Sequence, residues 1–428
     1  MNLFKRFTAE GKQDAISPTY CAAKWFEGTI LLHKGATASC HHTPLTPIGT
    51  DLTTPSNIFN SPRKIADREE MLEGKKPVGC NYCWTIEDNG GLSDRRVKSK
   101  SLLNKVKWHK KTDITSTPVE LEIAFDRTCN LSCAYCGPTF SSKWANEIKS
   151  IGPYKNLITE KRYNDPGESI DDENNPYINA FYSWWPELSK TLRVLRITGG
   201  EPLMSPNFWT FINFLNTKKF DGELHINTNL INHKGEVDKL INQTKNFKVK
   251  IHTSLESSFK QAEYVRAGFE ETTWLQNVRT IMNKTNWVLN VTTAVSNLTV
   301  FSYLDYLKIM AALKQQYGNK RIEITCNFVN YPVFMRIDLI PRHRRFDAAF
   351  EVRLWLMDNS SCLNKHELEQ VQRFMTIVGE SEQAMNDTHF KLNDAISDLK
   401  NFVEQYDTRK GKKYTRLDPR FVEWYESI

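Results

Sequence analysis

Seven of the nine cysteines fall into two sets within the first third of the chain. Cys129, Cys133 and Cys136 make a CxxxCxxC run in FDRTCNLSCAYCGP. Cys21, Cys40, Cys80 and Cys83 have 18, 39 and 2 residues between them. Thiolates are ligands for zinc and for iron–sulfur clusters, and a set of four closes either kind of site. A set of three does not close a tetrahedral zinc site. On a four-iron cluster, which takes four Cys, it leaves one iron open to a small molecule. Cys326 and Cys362 stand alone and read as small buried hydrophobes.

A second chemical feature is Gly199, Gly200, Glu201 and Pro202 in RITGGEPLM. Adjacent glycines permit close backbone approach to a ligand, and a carboxylate beside them can accept from an ammonium group. Further polar residues sit where short β-branched runs end: Asn227, Thr228 and Asn229, then Ser254 and Glu256, then Asn297.

Positioning these residues requires a βα framework. After Pro118, β-branched runs alternate with helical stretches, which is the pattern of helices packed around a parallel sheet. Six strands are expected, at 119–125, 193–198, 224–228, 249–254, 287–295 and 321–328. The triplet follows the first and GGEP the second. In a βα barrel, loops at the carboxyl ends of strands build one shared site, so polar residues at several such ends point to one active site.

Four segments follow. Residues 1–92 are rich in Pro, Thr and Ser, offer no long helix, and need a staple that four thiolates would supply. Residues 93–117 read as a basic linker or exposed helix carrying Arg95, Arg96, Lys98, Lys100, Lys105, Lys107, Lys110 and Lys111. Residues 118–340 are the βα core, with a polar insertion at 152–177 expected to lie on the surface. Residues 341–428 carry apolar residues at three- and four-residue spacing and should be helical.

The CNLSCAYC wording, its place after the first strand and the GGEP segment after the second together resemble the radical S-adenosylmethionine (radical SAM) superfamily. The resemblance implies an α/β fold, a partial (β/α)6 TIM-like barrel, with a small loop-rich N-terminal Cys-rich cluster module and a helical C-terminal region. It implies a [4Fe–4S] cluster with an open iron site on Cys129, Cys133 and Cys136, and S-adenosylmethionine bound to it. Reductive cleavage would give methionine and a 5′-deoxyadenosyl radical that abstracts a substrate hydrogen. By the same resemblance, Gly199 to Pro202 receive the SAM amino group, and Tyr135 sits beside the adenine. Ser254 and Glu256 approach the ribose and Arg266 the carboxylate. Asn229 and Asn297, as polar residues at the other strand ends, are expected to complete the cofactor-binding set.

The chain departs from the family's usual TNG and SLDG turns. It reads Thr228-Asn229-Leu230 and Ser254-Leu255-Glu256-Ser257 instead, so these turns are not expected to use glycine-only geometry.

From spacing alone, the N-terminal four cysteines fit zinc and a cluster equally. The stretch from Cys21 to Cys83 resembles the SPASM and twitch auxiliary-cluster modules, here placed before the core as in the N-terminal twitch class, which implies an auxiliary [4Fe–4S] cluster. His41 and His42 are not needed as ligands, and Trp84 would shield the cluster. The implied partners are a reductant such as ferredoxin or flavodoxin and a peptide or protein that is oxidised or crosslinked.

Competing readings are a radical SAM enzyme acting on RNA, a zinc-stapled nucleic-acid-binding protein and a non-catalytic electron carrier. The nucleic-acid readings draw on the basic stretch 94–111, PRHRRF at 341–346 and RKGKKY at 409–414. Net charge is only +7 over 428 residues, too mild to imply nucleic acid by itself. A composition of 25% charged and 40% hydrophobic residues excludes a disordered chain. No window approaches about 18 consecutive apolar residues. The first residues, MNLFKRFTAEGKQ, lack a signal-peptide core, so the cytoplasm is the expected location and membranes are not expected partners.

Overall fold

The computed structural model describes residues 13–105, 112–170, 174–218, 220–380 and 391–428. The first twelve residues, Lys107, Lys110 and Lys111 of the basic stretch, and the acidic Asp171, Asp172 and Glu173 of the insertion lie outside the described residues.

In chain order the strands are β1 (Glu27–Leu31), β2 (Ala36–Ala38), β3 (Thr46–Pro47), β4 (Glu120–Ala124), β5 (Ser132–Cys133), β6 (Val194–Thr198), β7 (Glu223–Asn227), β8 (Lys248–Ser254), β9 (Arg266–Ala267), β10 (Val288–Val295) and β11 (Ile322–Phe328). All six strands expected after Pro118 are present, as β4, β6, β7, β8, β10 and β11. Burial alternates along β6, where Leu195 and Ile197 are buried and Val194, Arg196 and Thr198 half-buried, because successive side chains point to opposite faces of a strand.

The chain divides into two units. The first comprises 1–126, 169–199 and 206–225; the second comprises 127–168, 200–205 and 226–428.

In the first unit β6, β4 and β1 run parallel, with Thr29 opposite Glu122 and Glu122 opposite Arg196. β2 and β3 then add antiparallel. The N-terminal segment thus extends the sheet that carries β4. It also contains the 11-residue helix Pro62–Leu72, where the composition offered none. That helix turns Lys64, Asp67, Arg68 and Met71 inward. The spacing is helical, but three of the four are charged, so no apolar stripe marks it. Asp94–Leu102 is a helix capped by Ser93, whose hydroxyl accepts from the Arg96 amide. It buries Arg95, Ser99 and Leu102, so it is half inside the protein and not a solvated connection. Phe125, Phe181 and Phe211 pack on one another with ring centroids 5.3 to 5.9 Å apart.

In the second unit β8, β10 and β11 run parallel. Helices fill 342–359, 365–375, 392–410 and 419–427, as the three- and four-residue spacing predicts. The insertion between the first two core strands forms no helix or strand over residues 152–170, and this first half is not merely surface. Tyr154 and Tyr163 are buried and pack against Trp144 and Phe402. Asp398 on the helix Leu392–Lys410 accepts the amides of Ile158 and Thr159, both at 2.6 Å. Cys326 is buried as expected, whereas Cys362 is only half-buried. Among the described residues, no helix is long and apolar enough to cross a membrane.

Candidate active site and four-cysteine hollow

The triplet lies on a loop whose carbonyls are claimed one by one. Ser141 Oγ donates to Leu131 O (2.7 Å), Trp144 Nε1 to Cys133 O (2.9 Å) and Tyr163 Oη to Ala134 O (2.7 Å). Lys143 donates to Asn130 O, and Arg127 braces Pro138 O, both at 2.8 Å. A loop without secondary structure of its own must satisfy its buried backbone through side chains, and these donors fix its path. The one stretch with sheet pairing is β5, antiparallel to β9, which sets Cys133 opposite Arg266. The amide of Ala134 continues the ladder to Val265 O at 2.7 Å.

That pairing delivers Arg266 to the triplet. Its Nη1 donates to Glu256 Oε1 (3.1 Å) and to Tyr135 Oη (2.8 Å), and Tyr135 Oη donates to Glu256 Oε1 (2.7 Å). Glu256 and Arg266 are both buried. A buried carboxylate paired with guanidinium and phenol is held in one geometry, because removing either partner strands the other charge. Burial pushes the Cys136 thiol up to about 12, with Cys133 beside it adding to the effect. The ordinary state of such a thiol is neutral, and a bound cation is what makes it a thiolate.

The glycines of GGEP have a cause within the chain itself. A Cβ on Gly199 would lie 2.5 Å from Asp126 O. One on Gly200 would lie 2.3 Å from Thr128 O and 2.6 Å from Arg127 O. Both glycines let backbone pass against backbone just before Cys129, and the Glu201 amide donates to Thr128 O at 2.6 Å. Glu201 is buried, and its carboxylate already accepts from Thr228 Oγ1 (2.7 Å), Asn229 N (2.6 Å) and Leu203 N (3.1 Å). Burial raises it to about 7, against the pull of those donors. Of about four acceptor positions on a carboxylate, three are used. Pro202 opens the short turn that follows.

Asn229 donates through Nδ2 to Asn130 Oδ1 (2.8 Å), so the end of β7 is tied to the residue after Cys129. Ser254 is half-buried at the end of β8. Asn297 is tied elsewhere, by Nδ2 to Phe334 O at 2.9 Å.

The two turns without glycine keep the glycine-like backbone. Leu230 has φ 56° and Ser257 φ 62°, both left-handed. This corrects the expectation from sequence. Each position carries about 1–2 kcal/mol of strain, offset locally. The Leu230 amide donates to Thr228 Oγ1 (3.1 Å) and its side chain is fully buried; Ser257 Oγ donates to Thr299 O (2.8 Å).

The other four cysteines come together in the first unit. Cys21, Cys40, Cys80 and Cys83 line one small open hollow. Cations share its wall. Lys24 ion-pairs with Asp67, and burial, which would lower its pKa, is outweighed by Cys80 and Asp67 beside it. Arg95 pairs with Glu87, and Lys98 reaches Glu27 at 2.5 Å. Burial, then Cys40 and Cys80, push the Cys21 thiol up to about 12, and burial pushes Cys80 to about 11. His42 at the rim bonds Asp94 (2.7 Å) and stacks on Tyr82 (3.8 Å). Trp84 is buried, with Nε1 donating to Pro77 O at 3.1 Å. No three His, Cys, Asp or Glu side chains among the described residues are placed to hold a single metal ion.

The residues that sequence reasoning missed are the supports of the triplet loop. Tyr406 Oη donates to Tyr264 O (3.1 Å) and Ser132 O (3.4 Å). Lys410 donates to Ser132 Oγ (2.7 Å), pairs with Glu147 and sits 4.3 Å over the Trp144 ring. Their partners lie more than 140 residues away in sequence, and no local pattern announces them.

No protein-family model matches the chain, and no curated protein matches it. Among solved structures, Streptococcus suis SuiB bound to precursor peptide SuiA aligns at 11% identity and TM-score 0.39, over 79% of this chain and 70% of that one. SuiB bound to S-adenosylmethionine aligns at 12% and 0.34, over 80% and 70%. Native anSMEcpe with bound AdoMet aligns at 12% and 0.35, over 73% and 98%. Scores this low carry neither fold nor function to this chain.

Proposed function

We propose that the chain is a radical SAM enzyme. Its core is a partial (β/α)6 barrel at 118–340, preceded by an auxiliary-cluster module at 1–92 and the segment 93–117, and followed by the helical region 341–428. Cys129, Cys133 and Cys136 hold a [4Fe–4S] cluster with one open iron, where S-adenosylmethionine binds. When bound, the pair supplies the electron transfer that splits the sulfonium and opens hydrogen-abstraction chemistry.

The observation that carries the reading is the β5–β9 pairing. It brings a buried arginine, a buried glutamate and Tyr135 onto a three-thiol loop that lacks a fourth ligand. Two buried polar atoms also want a partner, Arg266 Nε and Asn297 Oδ1. Arg266 has a donor left over for a carboxylate, and Glu256 acts by orienting Arg266 and Tyr135. Glu201 keeps one acceptor position for an ammonium group, with Gly199, Gly200 and Pro202 shaping its turn. Asn229 and Ser254 supply polar groups from neighbouring strand ends.

Cys21, Cys40, Cys80 and Cys83 fit a fully ligated auxiliary cluster. Four thiolates on such a core leave net negative charge, and Lys24, Arg95 and Lys98, each also paired with a carboxylate, stand in the wall of the hollow.

A peptide or protein is the proposed substrate, with a ferredoxin or flavodoxin as reductant. Part of the basic charge that favoured RNA is spent internally. Arg345 donates to the carbonyls of Ile340, Ile377 and Val378, Arg409 to those of Gly152 and Pro153, and Lys410 to Glu147.

The test is anaerobic reconstitution followed by iron and sulfide counting and electron paramagnetic resonance of the dithionite-reduced protein. Two clusters predict about eight irons and a signal that changes when SAM is added. About four irons with zinc present would leave the core reading and make the four-cysteine site structural. A spectrum indifferent to SAM would sink the core reading.

A further inference from the structure

The helix Arg342–Asn359 buries one face and leaves the opposite face bare. Its inward residues are Arg345, Ala348, Ala349 and Val352. On the other side Phe346, Phe350, Leu354 and Met357 are 45%, 47%, 49% and 76% exposed. At 100° per residue these four fall within a band of about 80°, and at 1.5 Å per residue they run for about 16 Å. The rings of Phe346 and Phe350 stack at 6.3 Å. Four large apolar side chains in one unbroken line form a contiguous patch, which marks an interaction site more often than a scatter of single residues does.

The flanks of the stripe say what covers it. On one side stand Arg342 and Arg353, and on the other Asp347 and Asp358, all exposed. Each arginine precedes an aspartate by five residues. When two copies of one helix pack side by side in parallel, a charge on one flank at position i meets the opposite flank of its partner at i+5. Arg353 therefore meets Asp358 of a second copy, and Arg342 meets Asp347, each twice by symmetry. Arg342 also donates to Gly379 O (3.0 Å), so the Arg353 pair is the stronger determinant. An antiparallel pairing would set the arginine flank against itself.

We propose that this helix is the self-association surface of the protein. Two copies pack their 346–357 stripes in parallel about a twofold axis along the helix, with Arg353–Asp358 pairs fixing the orientation. The stripe alone is smaller than the roughly 800 Å² per partner of a stable interface, so the dimer forms reversibly with concentration.

The experiment is sedimentation velocity of the full chain under anaerobic conditions across a wide concentration series. The wild type should shift from monomer to dimer. Leu354→Glu should weaken association at least about tenfold, since it puts two like charges in an apolar seam. Arg353→Glu should weaken it about fivefold, and the double variant Arg353→Glu with Asp358→Arg should restore it. Both charged positions are exposed, so circular dichroism unchanged from wild type shows that folding is not at issue. A chain that stays monomeric throughout, or a dimer untouched by Leu354→Glu, overturns the proposal. A dimer that Arg353→Glu tightens overturns the parallel orientation.

Discussion

The two cysteine sites solve opposite problems. The four-cysteine hollow gathers its thiols from segments up to 62 residues apart, and its wall carries three cations, Lys24, Arg95 and Lys98, each paired with a carboxylate. The triplet takes its thiols from eight consecutive residues. What surrounds them is a cage of side-chain hydrogen bonds to the loop's carbonyls and the buried Arg266–Glu256 pair. In the proposed reading the first is closed by four protein ligands. The other spends its architecture on holding a loop still, and in the proposed reading it leaves one coordination position for a small molecule.

Loss of one cysteine should separate the two most sharply. Cys80→Ser should remove about four irons and leave SAM cleavage measurable, whereas Cys133→Ala should remove a similar number and abolish cleavage. Loss of cleavage in both variants would make the sites one functional unit.

Next in size is Glu201. Its pKa is raised from 4.5 to about 7, so its contribution to stability is fully present below pH 4.5 and is lost as pH rises through about 7. The loss is on the order of 3 kcal/mol. Glu201→Gln should flatten the pH dependence of unfolding in that window, read by urea titrations of the apoprotein. An unchanged slope would show that the three donors, and not burial, govern the carboxylate.

Removing the Tyr406 hydroxyl should be milder. Tyr406→Phe leaves the buried Tyr264 and Ser132 carbonyls short of a donor, for about 1–3 kcal/mol. It should lower iron retention at the triplet and spare the four-cysteine site. Equal iron loss at both sites would mean general destabilisation. Ser257→Gly should be near neutral, because relief of about 1–2 kcal/mol of left-handed strain offsets the lost hydroxyl bond to Thr299 of about 1 kcal/mol. A thermal melt that moves by more than a few degrees would contradict that balance.

What could be read from the sequence was whatever local chemistry announces. Six β-branched runs became six strands, and the CxxxCxxC and GGEP spacing located the loop and turn that meet at Thr128. The helix Pro62–Leu72 was illegible because its inward stripe is Lys64, Asp67 and Arg68, charges stabilised by partners that only the folded chain supplies. Tyr154, Tyr163, Tyr406 and Lys410 were illegible as supports of the triplet because each acts across a distant contact. Gly200 was legible as a requirement but not in its cause, since nothing local tells a ligand's approach from that of the Thr128 carbonyl. The left-handed turns at Leu230 and Ser257 went against residue preference, and tertiary bonds overrode it.

The most direct test of the central claim is 5′-deoxyadenosine formed from SAM with dithionite by the anaerobically reconstituted protein, beside the Cys133→Ala variant. The account predicts product from the wild type and at least about a hundredfold less from the variant, as expected when a cofactor's ligand is lost. No product from a wild type that carries its iron, or equal product from both proteins, would contradict it.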